Sequence, residues 1–198
     1  LLDAGLVVRN KNGGLYDKFR NRLMLPVIDT RGDVVAFGSR VLDKSEPKYM
    51  NSSETPVYSK RRVLYGLNLA KKSKRPNIIL CEGNLDIVTL HQAGFDNAVA
   101  SMGTALTVEQ TRLLSRFTKE LVLCYDNDNA GKIATERALQ ILNGSEFSVK
   151  VLQLPRRLVD GEYIKQDADD FIKLQGPDAF ERLLNGSENG VEFRMAQI

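Results

Sequence analysis

Between residues 77 and 154 four short apolar runs alternate with segments of helical period, and this alternation admits few folds. The runs are Asn77–Cys81, Ala98–Ser101, Leu121–Tyr125 and Val149–Leu154, and the first three are apolar mainly on consecutive residues rather than on every second one. A strand apolar on both faces is buried on both, as in parallel sheets covered by helices. The intervening segments Leu85–Ala93, Val108–Phe117 and Lys132–Leu142 supply those helices. Gly94 stops the first, and Thr107 with Gln110 forms a capping box for the second. The expected fold class is therefore α/β, a parallel sheet flanked by helices.

Carboxylates follow three of these runs. Glu82 comes directly after the first, with Asp86 four residues on and Gly83 permitting a tight strand-to-helix turn. Asp126 and Asp128 follow the third run, before Gly131 in the opening turn of a helix. Asp167 and Asp169 follow the fourth after a polar loop. Each segment alone has a plainer explanation: Asp86 complements a helix dipole, 126–129 is an Asx-rich turn, and 167–170 caps a helix. Together they differ, because carboxyl ends of neighbouring parallel strands converge on one crevice. Clustered carboxylates repel unless a cation lies between them. Hard oxygen donors without His or Cys select Mg²⁺ or Mn²⁺, so a divalent-metal site for phosphate chemistry is expected, with no zinc.

Charge divides the chain. Residues 1–75 carry 16 Lys/Arg and 7 Asp/Glu, a balance of +9, whereas residues 76–198 carry 12 and 18, a balance of −6. A basic region beside an acidic, metal-holding one suits a polyanionic substrate. In the basic part, Leu23–Asp29 and Val34–Val41 read as a hairpin closed by Thr30-Arg31-Gly32-Asp33. Asp43–Pro56 reads as an ordered loop, Leu64–Lys71 as a short helix and Lys71–Pro76 as a basic linker. Beyond the sheet, Asp170–Leu174 and Pro177–Leu184 read as short helices. The expected division is 1–75 basic nucleic-acid-binding, 76–169 metal-binding and 170–198 the start of a helical subdomain. Cys81 and Cys124 sit within buried runs, so a reducing cytoplasm is the simple expectation. No apolar stretch approaches the roughly 18–20 residues that span a bilayer, and His91 is expected to pack rather than to ligate. The start at Leu1-Leu2-Asp3 reads as that of a fragment.

A strand-end Glu82 followed by Asp126 and Asp128, with Gly103-Thr104 in an intervening loop, resembles the TOPRIM domain of primases, topoisomerases and some nucleases. Further segments resemble bacterial DnaG-type primases: Tyr16–Pro26, Phe37–Arg40, Pro47–Thr55, Leu64–Leu67 and Ala98–Thr107. The resemblance runs from about Tyr16 to Leu184. It implies a catalytic core that starts RNA chains on a single-stranded DNA template from ribonucleoside triphosphates, forming an RNA–DNA hybrid. It further implies an acidic metal site of Glu82, Asp86, Asp126, Asp128, Asp167 and Asp169, with Glu82, Asp126 and Asp128 the catalytic residues and Glu82 best suited to acid/base work. Arg20, Arg22, Arg40, Lys48, Asn51 and Lys60 match positions that contact template or nucleotide, and Tyr49 is placed to stack on a base.

Three departures stand out. Asn84-Leu85 replace the usual Tyr-Met between Glu82-Gly83 and Asp86, Asn127 replaces a Gly, and Ala168 and Asp170 replace Pro and Glu in the third motif. Asn is expected to tolerate a left-handed backbone at 127. Every carboxylate expected to touch metal is retained. Complete relatives add an amino-terminal zinc module and a carboxy-terminal domain that docks on the replicative helicase, and neither is recognisable here. The competing expectations are a nuclease or topoisomerase fragment, disfavoured by the basic hairpin region, and a binding module without activity.

Overall fold

The computed structural model describes residues 1–159 and 161–195. Strands β1 (Val7–Arg9) and β2 (Leu15–Asp17) form an antiparallel ribbon. Strands β3 (Arg22–Ile28), β4 (Val34–Val41) and β5 (Tyr49–Asn51) follow as a three-stranded antiparallel sheet in that order. The one-turn helix α1 (Leu67–Ala70) leads into the alternating part. There β6 (Asn77–Cys81), α2 (Asn84–Gln92), β7 (Ala98–Ala100) and α3 (Val108–Leu114) precede β8 (Glu120–Leu123), α4 (Asn129–Leu142) and β9 (Ser148–Val151). A hairpin of β10 (Arg157–Val159) and β11 (Glu162–Ile164) comes next. The chain then forms α5 (Ala168–Gln175), α6 (Pro177–Asn185), β12 (Glu188–Asn189) and α7 (Gly190–Met195).

The alternating part builds a five-stranded sheet in the order β12-β9-β8-β6-β7. β9, β8, β6 and β7 are parallel, and β12 adds an antiparallel edge. The continuous apolar runs occupy its centre because helices cover both faces. Side chains alternate between them. Leu80, Leu121 and Leu123 pack with Leu114 of α3 and Ala138, Leu139 and Leu142 of α4. Ile79, Cys81, Val122 and Cys124 pack with Ile87 and Leu90 of α2, Phe171 of α5 and Phe180 of α6. Residues beyond 170 thus share the core of the sheet. Two apolar runs outlast their strands: Cys124, Tyr125, Leu152 and Leu154 stay buried past the ends of β8 and β9. Burial, not ladder pairing, sets the length of an apolar run.

The antiparallel sheet is held at the carboxyl ends of these strands. Tyr65 and Ala100 exchange backbone hydrogen bonds of 2.8 and 3.0 Å, tying the segment before α1 to the outer edge of β7. Val27, Ala36 and Tyr58 bury Met102 of the loop after β7 in a small third core. Asn84 faces Gly38 of β4 so closely that a Cβ there would lie 2.4 Å from its Nδ2. The stretch 43–56 expected as a loop contains β5, and the polar loop before Asp167 contains the β10–β11 hairpin. All three are three-residue strands with exposed positions, too short to carry a period.

Candidate active site

The first two acidic segments are positioned by adjacent parallel strands. Leu80 pairs with Leu123, and the ladder continues with Cys124 N donating to Leu80 O at 2.9 Å. One step further, Asp126 N donates to Glu82 Oε1 at 3.2 Å. Burial, then the Asp126 charge, raises the Glu82 pKa above the usual carboxylate range.

Asp86 lies on the first turn of α2, only 7% exposed. Its Oδ2 accepts from Gly83 N and its Oδ1 from Asp169 N, both at 3.2 Å. Gly83 has extended backbone, with φ of −101°. Its smallness serves Asp86 rather than a special turn, since a Cβ would lie 2.7 Å from Asp86 Oδ2. Burial first, and the Asp167 charge second, push the Asp86 pKa up to about 7. The third segment reaches the same place through α5: Asp167 caps that helix, accepting from Asp170 N at 2.8 Å. Asp169 accepts a hydrogen bond from the Thr89 hydroxyl and lies 2.6 Å from Lys173 Nζ. Among the described residues, Asp167, Asp169 and Asp170 offer carboxylate oxygens within 4.8 Å of one another.

Asp128 caps α4, accepting from Gly131 N at 2.8 Å. That amide, then the Lys165 ammonium, holds its carboxyl below the usual range. Lys165 Nζ lies 3.1 Å from Asp126 Oδ2 and 3.0 Å from Asp128 Oδ2. Asn127 between them is not left-handed, because Asn21 is the described non-glycine residue with positive φ. Its side chain instead donates to Leu154 O at 3.0 Å, which gives Asn a use at that position.

A cleft of about 390 Å³ joins these groups to the antiparallel sheet. Glu82, Asp86, Asp126, Asp167 and Asp169 line it together with Lys165 and with Arg40, Lys48, Tyr49 and Asn51 of β4, β5 and the turn before β5. Tyr49 is 52% exposed, with the Arg40 guanidinium and Lys48 ammonium each 5.6 Å from its ring centre. Asn51 Nδ2 donates to Met102 O at 3.4 Å. Three expected contact residues do not line this cleft. Arg20 stacks on Tyr16 at 5.0 Å, Arg22 begins β3, and Lys60 lies on the loop whose amide donates to Glu54 Oε1 at 2.8 Å.

Family models match most of the chain: "DNA primase catalytic core, N-terminal domain" over residues 1–71 and "Toprim-like" over residues 79–172. A DNA primase of Clostridium acetobutylicum is 44% identical over 98% of this chain. The chain spans 31% of that relative's length. Among solved structures, the E. coli primase catalytic core superposes with a TM-score of 0.87 at 38% identity, covering 99% of this chain and 62% of that one. A DnaG primase catalytic domain bound to single-stranded DNA superposes at 0.84 and 38% identity, covering 95% and 60%. The chain carries the N-terminal and Toprim-like domains of a DnaG-type primase core.

In this primase core, then, the strand-end Glu and the Asp-x-Asp motif are adjacent, the Asp126 amide donating to the Glu82 carboxylate. Sequence reasoning passes over Lys165, which lines the cleft, and over residues beside the carboxylates. Lys165 is a single lysine in a polar loop and carries no motif. Thr89 is within its reach, because Asp86 and Thr89 lie three apart on α2 and share a face. Asp170 reads in the sequence only as a substitution, although it completes the close trio on α5. The donors suit a hard divalent cation: carboxylate oxygens alone, with no His or Cys lining the cleft.

Proposed function

We propose that this chain is the template-holding and metal-binding part of a DNA-dependent RNA polymerase that makes short primers on single-stranded DNA. One observation carries the proposal: a single cleft is lined both by Arg40, Lys48, Tyr49 and Asn51 and by Glu82, Asp86, Asp126, Asp167 and Asp169. Cations and an exposed aromatic suit a strand's phosphates and bases, and the carboxylates suit metal-bound triphosphate. Asp86, Asp126, Asp128, Asp167 and Asp169, with Glu82, would hold Mg²⁺ or Mn²⁺. When bound, that ion supplies charge neutralisation at the nucleotide phosphates.

The chain's own residues do the rest. Arg40 and Lys48 hold phosphate oxygens, Asn51 offers an amide to base, sugar or phosphate, and Tyr49 stacks. Glu82, half-buried with a raised pKa, holds a proton more readily than an ordinary carboxylate and is the acid/base candidate. Arg20, Arg22 and Lys60 lie beyond the cleft and would track the template's backbone. Residues 1–75 would serve template binding, 76–169 the metal and 170–198 the start of a helical subdomain. The product would be an RNA–DNA hybrid, and in the whole protein a further domain would dock on the replicative helicase in the bacterial cytoplasm. Among the described residues no helix is long and apolar enough to cross a membrane.

The test is de novo synthesis with single-stranded DNA, four ribonucleotides (one labelled) and Mg²⁺ or Mn²⁺, beside Asp126→Ala. Short labelled RNA that disappears in the variant supports the proposal. Cleaved DNA without RNA would place the chain among nucleases instead.

A further inference from the structure

Lys165 lies within hydrogen-bond distance of both carboxylates of the Asp-x-Asp loop, at 3.1 Å from Asp126 and 3.0 Å from Asp128. Arg156, before the opposite strand of the β10–β11 hairpin, touches the same loop, its Nη2 donating to Asn127 O at 3.4 Å. The segment around the hairpin is therefore fastened to the 126–128 loop on both sides. The next residue, Gln166, is 3% exposed with both amide atoms buried and unpartnered. A buried amide without partners is unfavourable, so other contacts must hold the segment there, and the Lys165 bridge is among them.

A divalent cation taken up by Asp126 and Asp128 cannot share the oxygens that face Lys165. Ammonium and metal would repel at that separation, and the same lone pairs would serve both. Lys165 can leave, because its side chain is 54% exposed. Ion pairs of that exposure are weak enough to exchange. We propose that Lys165 is a tethered counter-ion that holds the Asp126–Asp128 pair together in the metal-free protein and competes with the divalent cation for it. Lys165 so acts as a positioning residue that sets how readily metal enters. The inference rests on Asp126 and Asp128 being metal ligands.

Mn²⁺ titration followed by electron paramagnetic resonance, without nucleotide, tests this on the chain with Lys165→Met, Lys165→Gln and Asp126→Asn. Met keeps the apolar stem and loses the charge. Both Lys165 variants are expected to bind Mn²⁺ roughly three- to tenfold more tightly, the scale of one or two part-exposed ion pairs. Their melting temperature should fall in EDTA and recover with Mn²⁺, opposite signs that a merely structural lysine would not produce. Folded Lys165 variants with unchanged or weaker Mn²⁺ affinity would overturn the proposal. The metal-site assignment would survive that result if Asp126→Asn still abolished binding. Full Mn²⁺ binding by Asp126→Asn would overturn both.

Discussion

Gly131 gives the sharpest test of how the Asp-x-Asp loop is held. It is buried in the first turn of α4, and its amide donates to Asp128 Oδ1 at 2.8 Å. A Cβ added there would lie 1.9 Å from the Asp126 carbonyl oxygen, 2.7 Å from its carbonyl carbon and 3.0 Å from its nitrogen. Ordinary carbon contacts lie at about 3.5–4.0 Å, so Gly131→Ala must open this approach by roughly 1.5 Å. All three atoms are backbone, so no rotamer change relieves the clash. Either Asp126 moves, or α4 withdraws and takes the Asp128 cap with it.

The two effects on stability partly cancel. Alanine favours a helix interior over glycine by about 1 kcal/mol, and overpacking costs about 1–3 kcal/mol. The net is a loss of about 0–2 kcal/mol, which leaves the protein folded. Function should suffer more, because misplacing reacting groups by about 1 Å can cost roughly 10²-fold. Gly144→Ala is the control. Gly144 follows the other end of α4 with φ of +73°, and a Cβ added to it would meet nothing within 4 Å. Forcing alanine into that left-handed conformation costs about 1–2 kcal/mol without touching the site. Melting temperature, Mn²⁺ titration and primer synthesis on both variants decide the matter. Gly131→Ala with wild-type metal affinity and synthesis, or Gly144→Ala with equal functional loss, would refute the reasoning.

Three further outcomes follow from the same structure. The folded Asp86 pKa near 7 exceeds its ordinary 3.8, so metal-free protein should lose up to about 4 kcal/mol as pH rises through that window. Asp86→Asn should flatten the curve of melting temperature against pH in EDTA, and a flat wild-type curve would contradict the shift. Phe180 is fully buried, its ring edge-on to Phe95 at 4.7 Å and Phe171 at 6.2 Å. Phe180→Ala should cost about 3–5 kcal/mol in urea unfolding, and a cost below about 1 kcal/mol would mean α6 is peripheral. Tyr49→Ala should weaken binding of single-stranded oligonucleotide by about 1–3 kcal/mol in fluorescence anisotropy, whereas Tyr49→Phe should not.

The parallel sheet was legible because its strands are buried on both faces, so Ile78–Cys81 and Leu121–Leu123 are apolar without interruption. Capping chemistry was equally local: Thr107 accepts from Gln110 N at 3.1 Å, as their spacing predicts. Caps also explain where boundaries moved. Asp128 and Asp167 start α4 and α5 at Asn129 and Ala168, ahead of the first strongly apolar positions. The strands without a sequence signal are two or three residues long and incompletely buried, and pairing across the sheet defines them: Tyr49 opposes Arg40 and Leu158 opposes Tyr163. No periodicity within three residues can announce a partner elsewhere in the chain.

The acidic residues were legible for the same reason as the strands, since a carboxylate after a buried strand lies at the crevice by topology alone. What balances them was not. Lys165 lies 37 residues from Asp128 and meets it only because the hairpin brings the chain back over the loop. Thr89 meets Asp169 across 80 residues, through the packing of α5 beside α2 in the Phe171 core. Carboxylates held this close need compensation in every state of the protein, with or without metal. A motif that lists only the acids therefore describes the metal-bound half of the problem. The metal-free half falls to hydroxyls and ammonium groups supplied by whichever segments pass nearby, Thr89 from α2, Lys173 from α5 and Lys165 from the loop after β11, and these set the resting charge around the carboxylates.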